Sequence, residues 1–385
     1  MLRTVFNEDH EAFRAMLRDF IAKEVEPVHA EWEEQGHPPR DFYRRLGELG
    51  ILGIQVPEEY GGGGEKSFKF AAVLMEECSR AGVSFSGHSV HSNLILPYLL
   101  TYATEEQKQR WLPGFASGDI MTAIAMTEPG TGSDLAGIAT KAELSADGTH
   151  YVLNGAKTFI SGGAQADLVL VVCRTAPATA EDRRGGLTIL CVESASEGFE
   201  VGRKLKKIGL KAHDTAELSF SDVKVPVENR LGDEGKAFSY LTHNLAQERL
   251  TIAYGGYAAA AAAVEQAVAY VRDRVVFGKS VASFQNTKFV LAECATEVEA
   301  AQIMADRALE LNETGQLTGP DAAKAKLYCT EAAGRVIDKC LQLHGGYGYM
   351  WEYPIARLYA DNRVSRIYGG TNEVMKTIIA KSMGL

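Results

Sequence analysis

Between about residues 121 and 230 the chain abandons helical spacing and runs as a series of short β-type segments. Tyr151-Val152-Leu153, Leu168-Val169-Leu170-Val171-Val172, Leu187-Thr188-Ile189-Leu190-Cys191-Val192 and Ala216-Glu217-Leu218-Ser219-Phe220 are rich in branched and aromatic residues, and Gly, Asn, Asp and Pro punctuate them. No helix-length pattern separates one run from the next. Strands that follow strands through short turns predict an antiparallel barrel or sandwich rather than a doubly wound parallel sheet. Asp147-Gly148, set between two such runs, is the expected hairpin turn.

Both flanks read differently. Up to about residue 120, apolar residues recur at three and four, as in Phe42, Leu46 and Leu49. His37-Pro38-Pro39 and Tyr60-Gly61-Gly62-Gly63-Gly64 mark turns, and Thr104-Glu105-Glu106-Gln107 predicts a capped helix ending near Leu112-Pro113. After Gly235 the helical pattern returns almost to the end, with an unbroken alanine run from Ala258 to Ala263 where neighbouring helices can approach closely. The expected architecture is a multi-layer α+β chain: a helical domain over 1–120, a central β barrel or sandwich over 121–232, and a helical domain over 233–385.

A net charge of −10 argues against non-specific nucleic-acid binding, which needs a basic footprint, but leaves room for an anionic ligand in a local basic pocket. Arg203, Lys204, Lys206, Lys207 and Lys211 form one basic cluster, either a solvated face or a patch for phosphates. The six cysteines include no Cys-x-x-Cys pair, which suits reduced thiols. The N-terminus has no apolar signal core, and no apolar run reaches the length of a membrane span, so a cytoplasmic location is expected. His88 and His91 lie three apart without an evident third ligand, so no metal site is expected.

Several segments carry polar chemistry. Met126-Thr127-Glu128-Pro129-Gly130-Thr131-Gly132-Ser133-Asp134 is a glycine-rich loop whose hydroxyls and free amides could hold a heteroaromatic edge or a phosphate. Asn154-Gly155-Ala156-Lys157-Thr158-Phe159-Ile160-Ser161 is a turn running into a strand. Arg274-Val275-Val276-Phe277-Gly278-Lys279, with Phe284-Gln285 after it, closes a helix. Gln342-Leu343-His344-Gly345-Gly346 and Tyr368-Gly369-Gly370-Thr371-Asn372-Glu373 complete the set. No Gly-x-Gly-x-x-Gly follows a strand, so nothing supports a Rossmann nicotinamide site.

Together, these segments resemble the acyl-CoA dehydrogenase family, flavoenzymes that desaturate acyl thioesters, over essentially the whole chain. The resemblance implies bound FAD. Met126, Thr127, Gly132, Ser133, Phe159, Ile160 and Ser161 would lie at the flavin, with Ser133 also facing the acyl-CoA. Arg274, Phe277, Gln285, Gln342, Leu343, Gly345, Gly346, Thr371, Asn372 and Glu373 would complete the cofactor site. In the family the arginine and the Gln-x-x-Gly-Gly element act across a subunit interface, which implies a homotetramer built as a dimer of dimers. Arg249, Tyr368, Gly369 and Gly370 would lie on the substrate side, and an electron-transferring flavoprotein would be the redox partner.

Many family members place the catalytic glutamate after the tyrosine of the Tyr-x-Gly-Thr element. Gly369 stands there in this chain. Gln247-Glu248-Arg249-Leu250 supplies a carboxylate instead, as in the long-chain and isovaleryl-type members, and the long-chain type fits better. Glu248 is therefore the expected base for the α proton of a medium- or long-chain acyl-CoA. Three alternatives stay open from sequence: a branched-chain dehydrogenase, an oxygen-using oxidase of the same fold, and a non-catalytic subunit that binds flavin or acyl-CoA.

Overall fold

The computed structural model describes residues 3–179 and 182–385. Six helices lead: α1 (Glu8–Phe20), α2 (His29–Gln35), α3 (Arg40–Glu48), α4 (Lys69–Ala81), α5 (Leu96–Tyr102) and α6 (Glu105–Ser117). Thr104 caps α6 with its hydroxyl on the Gln107 amide, while the Gln107 side chain returns to the Thr104 amide. The helix does not stop at Pro113 as the sequence predicts. Phe115 and Ala116 are buried, and packing them carries the helix a further turn past the missing proline N–H.

The β region contains β1 (Thr122–Ala125), β2 (Lys141–Leu144), β3 (His150–Ser161), β4 (Leu168–Arg174), β5 (Leu187–Glu193), β6 (Phe199–Lys204), β7 (Thr215–Pro226) and β8 (Arg230–Leu231). They form one sheet in the order β6-β7-β3-β2-β4-β5-β8, with β1 also on β4. The β2–β3 hairpin turns at Asp147-Gly148, where Gly148 takes φ +71. Most pairings are antiparallel, but β1 and β2 both meet β4 in parallel, which the run of hairpin signals did not announce.

Strand β4 explains its own unbroken apolar sequence. Leu168, Leu170 and Val172 face Trp111, Leu112 and Phe115 of α6 with Leu241, whereas Val169, Val171 and Cys173 face Tyr151, Leu153 and Phe220 across the sheet. A strand covered on both faces has no polar positions to spare. Each such side chain contributes about 1.5–3 kcal/mol when removed from water.

Helix α7 (Ala237–Asp273) is followed by α8 (Gln285–Glu313), α9 (Gly319–Leu343), α10 (Pro354–Asn362) and α11 (Asn372–Ser382). Its alanine run packs against α8 and α9, with Ala260, Ala263, Cys294, Ala333 and Val336 in one core. At Gly256 an added Cβ would stand 3.2 Å from the Cys329 carbonyl oxygen, so a side chain there would press on α9. Charge ties the N-terminal segment to this layer and its helices α1 and α4 to each other. Arg3 binds Asp306 on α8 and the Tyr254 hydroxyl on α7, and Arg14, Arg18 and Arg80 surround the buried carboxylate of Glu77.

Candidate active site

The glycine-rich loop begins where β1 ends. Its Glu128 carboxylate is buried and points inward, accepting the Ala139 amide at 2.7 Å, the Thr140 amide at 2.9 Å and the Lys157 ammonium at 2.8 Å. Burial alone would raise this carboxyl; Lys157, Thr140 and the Ala139 amide hold it below its usual range. Lys157 also binds the Met126 carbonyl at 3.1 Å, and the Thr158 amide donates to Thr127 at 2.9 Å. Met126–Ser133 and Thr158–Ser161 are thus one unit. Thr131 closes the loop through its hydroxyl on the Asp134 carbonyl.

Phe159 is the outward feature of that unit. It sits where the β3–β7 register slips, at φ +59, and its ring is 66% exposed. A bulky residue in the left-handed region is strained, and here the strain turns an aromatic face to solvent while Ile160 stays buried.

The second group lies on α7 and the segment before α11. Glu248 is half-buried, and burial pushes its carboxyl above the ordinary glutamate range against the charges of Arg249 and Lys326. Arg249 is buried, and its Nε has no hydrogen-bond partner among the described residues. Gly369 and Gly370 take φ +61 and +86, which favours glycine at both. A Cβ built on Gly369 would lie 3.4 Å from Glu248 Oε1 and 2.3 Å from Ile252 Cδ1. The glutamate on α7 therefore reaches the spot that a side chain at 369 would enter.

The two groups are bridged by Ser89–Ile95, a widened helical turn. His91 Nδ1 meets the Thr122 hydroxyl at the start of β1, and the Gln247 amide donates to the Asn93 carbonyl at 3.2 Å. His91 Nε2 meets the Phe115 carbonyl, so both of its nitrogens are committed internally. Among the described residues no cluster of three potential metal ligands occurs.

The third group stands apart. Arg274 ends α7, exposed, with its guanidinium over the Tyr347 ring at 5.5 Å. Phe277 is 95% exposed, Gln285 opens α8 at the surface, and Gln342 and Leu343 lead into Gly345-Gly346, where an added Cβ would meet open space. Glu248 and Arg274 are separated by roughly 39 Å at about 1.5 Å per residue. One chain does not bring this group to its own Glu248.

At the start of α11, Thr371 caps the helix and Glu373 is exposed. Asn372, expected at the cofactor site, has its side chain turned to the protein. It is buried, with its amide on the Thr330 hydroxyl and the Glu331 carboxylate of α9, so its side chain tethers the helix. The basic cluster is likewise partly spoken for: Arg203 pairs with Glu217, Lys207 donates to the His213 carbonyl, and Lys211 lies 3.5 Å from the Trp351 ring centroid.

Sequence reading missed Lys326. It is wholly buried on α9, and its ammonium donates to the Tyr368 carbonyl at 2.7 Å and to that of Gly370. The signal was present in the helical register, since Ala322, Cys329 and Ala333 on the same face are all buried.

The site sets a carboxyl raised by burial beside the Gly369 backbone, on a helical–β–helical scaffold. The chain belongs to the acyl-CoA dehydrogenase family. The family's N-terminal, middle and C-terminal domain models match residues 7–119, 123–223 and 235–384. It is similar to the mitochondrial long-chain specific acyl-CoA dehydrogenase of Sus scrofa, 44% identical over 99% of this chain and 88% of that one. An acyl-CoA dehydrogenase from Geobacillus kaustophilus superposes with a TM-score of 0.95 at 47% identity, covering 99% of each chain. An acyl-CoA dehydrogenase from Bacillus anthracis, solved with FAD, gives 0.90 at 32% identity over 98% of this chain and 67% of that one. The chain is accordingly a FAD-dependent oxidoreductase acting on CH–CH bonds. The exposed Phe159 ring fits a flat aromatic ring, and, in the group that stands apart, the open glycines at 345 and 346 and the Arg274 guanidinium, which has no carboxylate partner among the described residues, fit a pyrophosphate.

Proposed function

We propose that this chain desaturates medium- to long-chain acyl-CoA to the trans-2-enoyl-CoA, with Glu248 as the base, and passes electrons to an electron-transferring flavoprotein. The observation that carries the reading is the 3.4 Å between Glu248 Oε1 and the Cβ position of Gly369. The carboxylate absent at one element is delivered to the same point by the other.

Glu248 takes the α proton. Its raised pKa makes it a stronger base once ionised, and Arg249 and Lys326 keep the ionised form accessible. The Gly369 amide, which donates to no acceptor among the described residues, is available to the thioester oxygen as negative charge develops there. Arg249, Tyr368 and Gly370 flank that position. Met126, Thr127, Gly132, Ser133, Phe159, Ile160 and Ser161 would hold the flavin ring. FAD, when bound, supplies the two-electron acceptor for the bond being oxidised.

Arg274, Phe277, Gln285, Gln342, Leu343, Gly345 and Gly346 would complete the cofactor site of a neighbouring copy, because α7 carries Arg274 too far from its own Glu248. Thr371 and Glu373 would sit at the same site. The proposed assembly is the family's homotetramer of paired dimers, with each chain divided at about residues 120 and 232.

The test is a panel of acyl-CoA thioesters, straight-chain from short to long and branched, with ferrocenium or electron-transferring flavoprotein as acceptor. Highest kcat/KM on medium or long straight chains is expected. A preference for branched substrates, or turnover unchanged in Glu248→Ala, overturns the reading.

A further inference from the structure

We infer that Lys326 is a positioning residue for the dehydrogenation: it clamps the carbonyls on either side of Gly369 so that the Gly369 amide faces the substrate thioester and not the protein interior. The inference rests on the proposed role of that amide.

Lys326 lies on α9, one helix removed from the base, with no exposed surface. Its two hydrogen bonds go to the Tyr368 and Gly370 carbonyls, one on each side of the glycine. A trans peptide is planar, so its C=O and N–H point in opposite directions. The chain has no cis peptide among its described residues. Fixing the Tyr368 carbonyl toward α9 therefore turns the Gly369 N–H away from α9. The Gly370 carbonyl does the same for the Thr371 N–H.

Gly369 and Gly370 have no side chains to fix this stretch, and both adopt positive φ, where glycine alone has wide freedom. Without a clamp the two peptides could rotate and satisfy their amides elsewhere. A buried lysine is a costly way to hold two carbonyls, since an ammonium in the interior loses its hydration. An uncharged donor would do for packing. The charge has a second use. Lys326 shares its surroundings with Glu248 and Arg249 on α7 and Glu373 on α11. Tyr98 on α5 and Tyr368 face Glu248 as well. Burial and the Arg249 charge draw the ammonium down to about 8, so it is still charged at neutral pH and favours the ionised base.

The experiment compares wild-type holoenzyme with Lys326→Met, Lys326→Gln and Lys326→Arg. The first readout is binding of a 3-oxoacyl-CoA, whose acidic α proton is lost without any oxidation. The fraction bound as enolate is followed by its ultraviolet absorbance. The second is the pH dependence of flavin bleaching by a saturating acyl-CoA. In Lys326→Met the enolate fraction should fall and its onset should move to higher pH. Bleaching should slow by about 100-fold, the scale of a misplaced catalytic group, with KM changed far less. Lys326→Gln keeps an N–H donor and should recover part of the bleaching rate but not the acid limb. FAD content should stay at the wild-type level in both. If Lys326→Met does not fold, Gln and Arg are read against wild type in the same assays, with Arg retaining the acid limb. Wild-type bleaching and an unmoved acid limb in every folded variant, with only a lower melting temperature, would mean that Lys326 merely fills space.

Discussion

Moving the base from α7 to the Tyr368–Gly370 loop is a demanding test of the site. Glu248→Gln keeps size and polarity but removes the proton acceptor. Flavin reduction should fall by about 10²–10⁴-fold, the worth of a positioned general base, or roughly 2.7–5.4 kcal/mol of barrier. Adding Gly369→Glu returns a carboxylate to within reach of the same point, at two costs. The position has φ +61, and a non-glycine residue there costs about 1–2 kcal/mol. The new Cβ would also stand 2.3 Å from Ile252 Cδ1, well inside the ~3.5 Å of an ordinary carbon contact. Ile252→Val deletes that methyl at a cost of about 0.5–1.5 kcal/mol and leaves Cγ1 at 3.8 Å. The double variant should recover little, and the triple variant about tenfold or more beyond it. Stopped-flow bleaching of oxidised flavin at saturating acyl-CoA reads the step directly. If Glu248→Gln bleaches at the wild-type rate, Glu248 is not the base. If double and triple variants recover equally, the contact with Ile252 is not what separates the two positions.

The raised carboxyl of Glu248 sets the acid limb of kcat/KM: activity should be lost on acidification with a midpoint above the ~4.3 of an ordinary glutamate, and pH–rate profiles at saturating acceptor will give its position. Burial would raise Glu77, but Arg18, Arg14 and Arg80 overcome this and hold it to about 2. Its contribution to stability is therefore complete above the unfolded pKa and is lost as the pH falls from about 4.5 toward 2. Glu77→Gln should lower stability by about 1.5–3 kcal/mol at neutral pH, read by denaturant melts, and should flatten the acid transition. Arg274→Ala should weaken FAD binding by about 1.5–3 kcal/mol, the range for a hydrogen bond to a charged group. Flavin titration of the apoprotein checks it, and a wild-type monomer with full FAD by light scattering would contradict the shared site.

The helical–β–helical order was plain in the sequence because periodicities of two and of three to four are properties of neighbouring residues. The unbroken run from Leu168 marked β4 as a strand, while its burial on both faces is set by α6 on one side and the facing strands on the other. What lay hidden depends on distant partners. The short β1, only Thr122–Ala125, reads as the lead-in to a loop, and its parallel pairing with β4 is set by what lies between them. Pro113 signals a helix end locally, yet the buried Phe115 beyond it decides otherwise. At the site, the absence of a carboxylate at 369 pointed to Glu248, and the geometry brings the two together. Asn372 could not be read, because its amide partners sit on α9. Lys326 shows in the register of its helix as a buried position, but what it holds, two carbonyls beyond that helix, does not show there.

The length of α7 has a genetic corollary. The helix carries the proposed base about a third of the way along and the arginine just past its far end, so the two belong to different catalytic centres if Arg274 serves a neighbouring copy. A chain disabled at 248 still lends a sound arginine, and a chain disabled at 274 still keeps a sound base. Co-expressed, the two damaged alleles would build mixed dimers in which one centre inherits both defects and the other inherits neither. Two inactive genes would then yield an active enzyme, whereas joining both lesions in one gene beside a wild-type copy would leave every mixed dimer with two half-damaged centres.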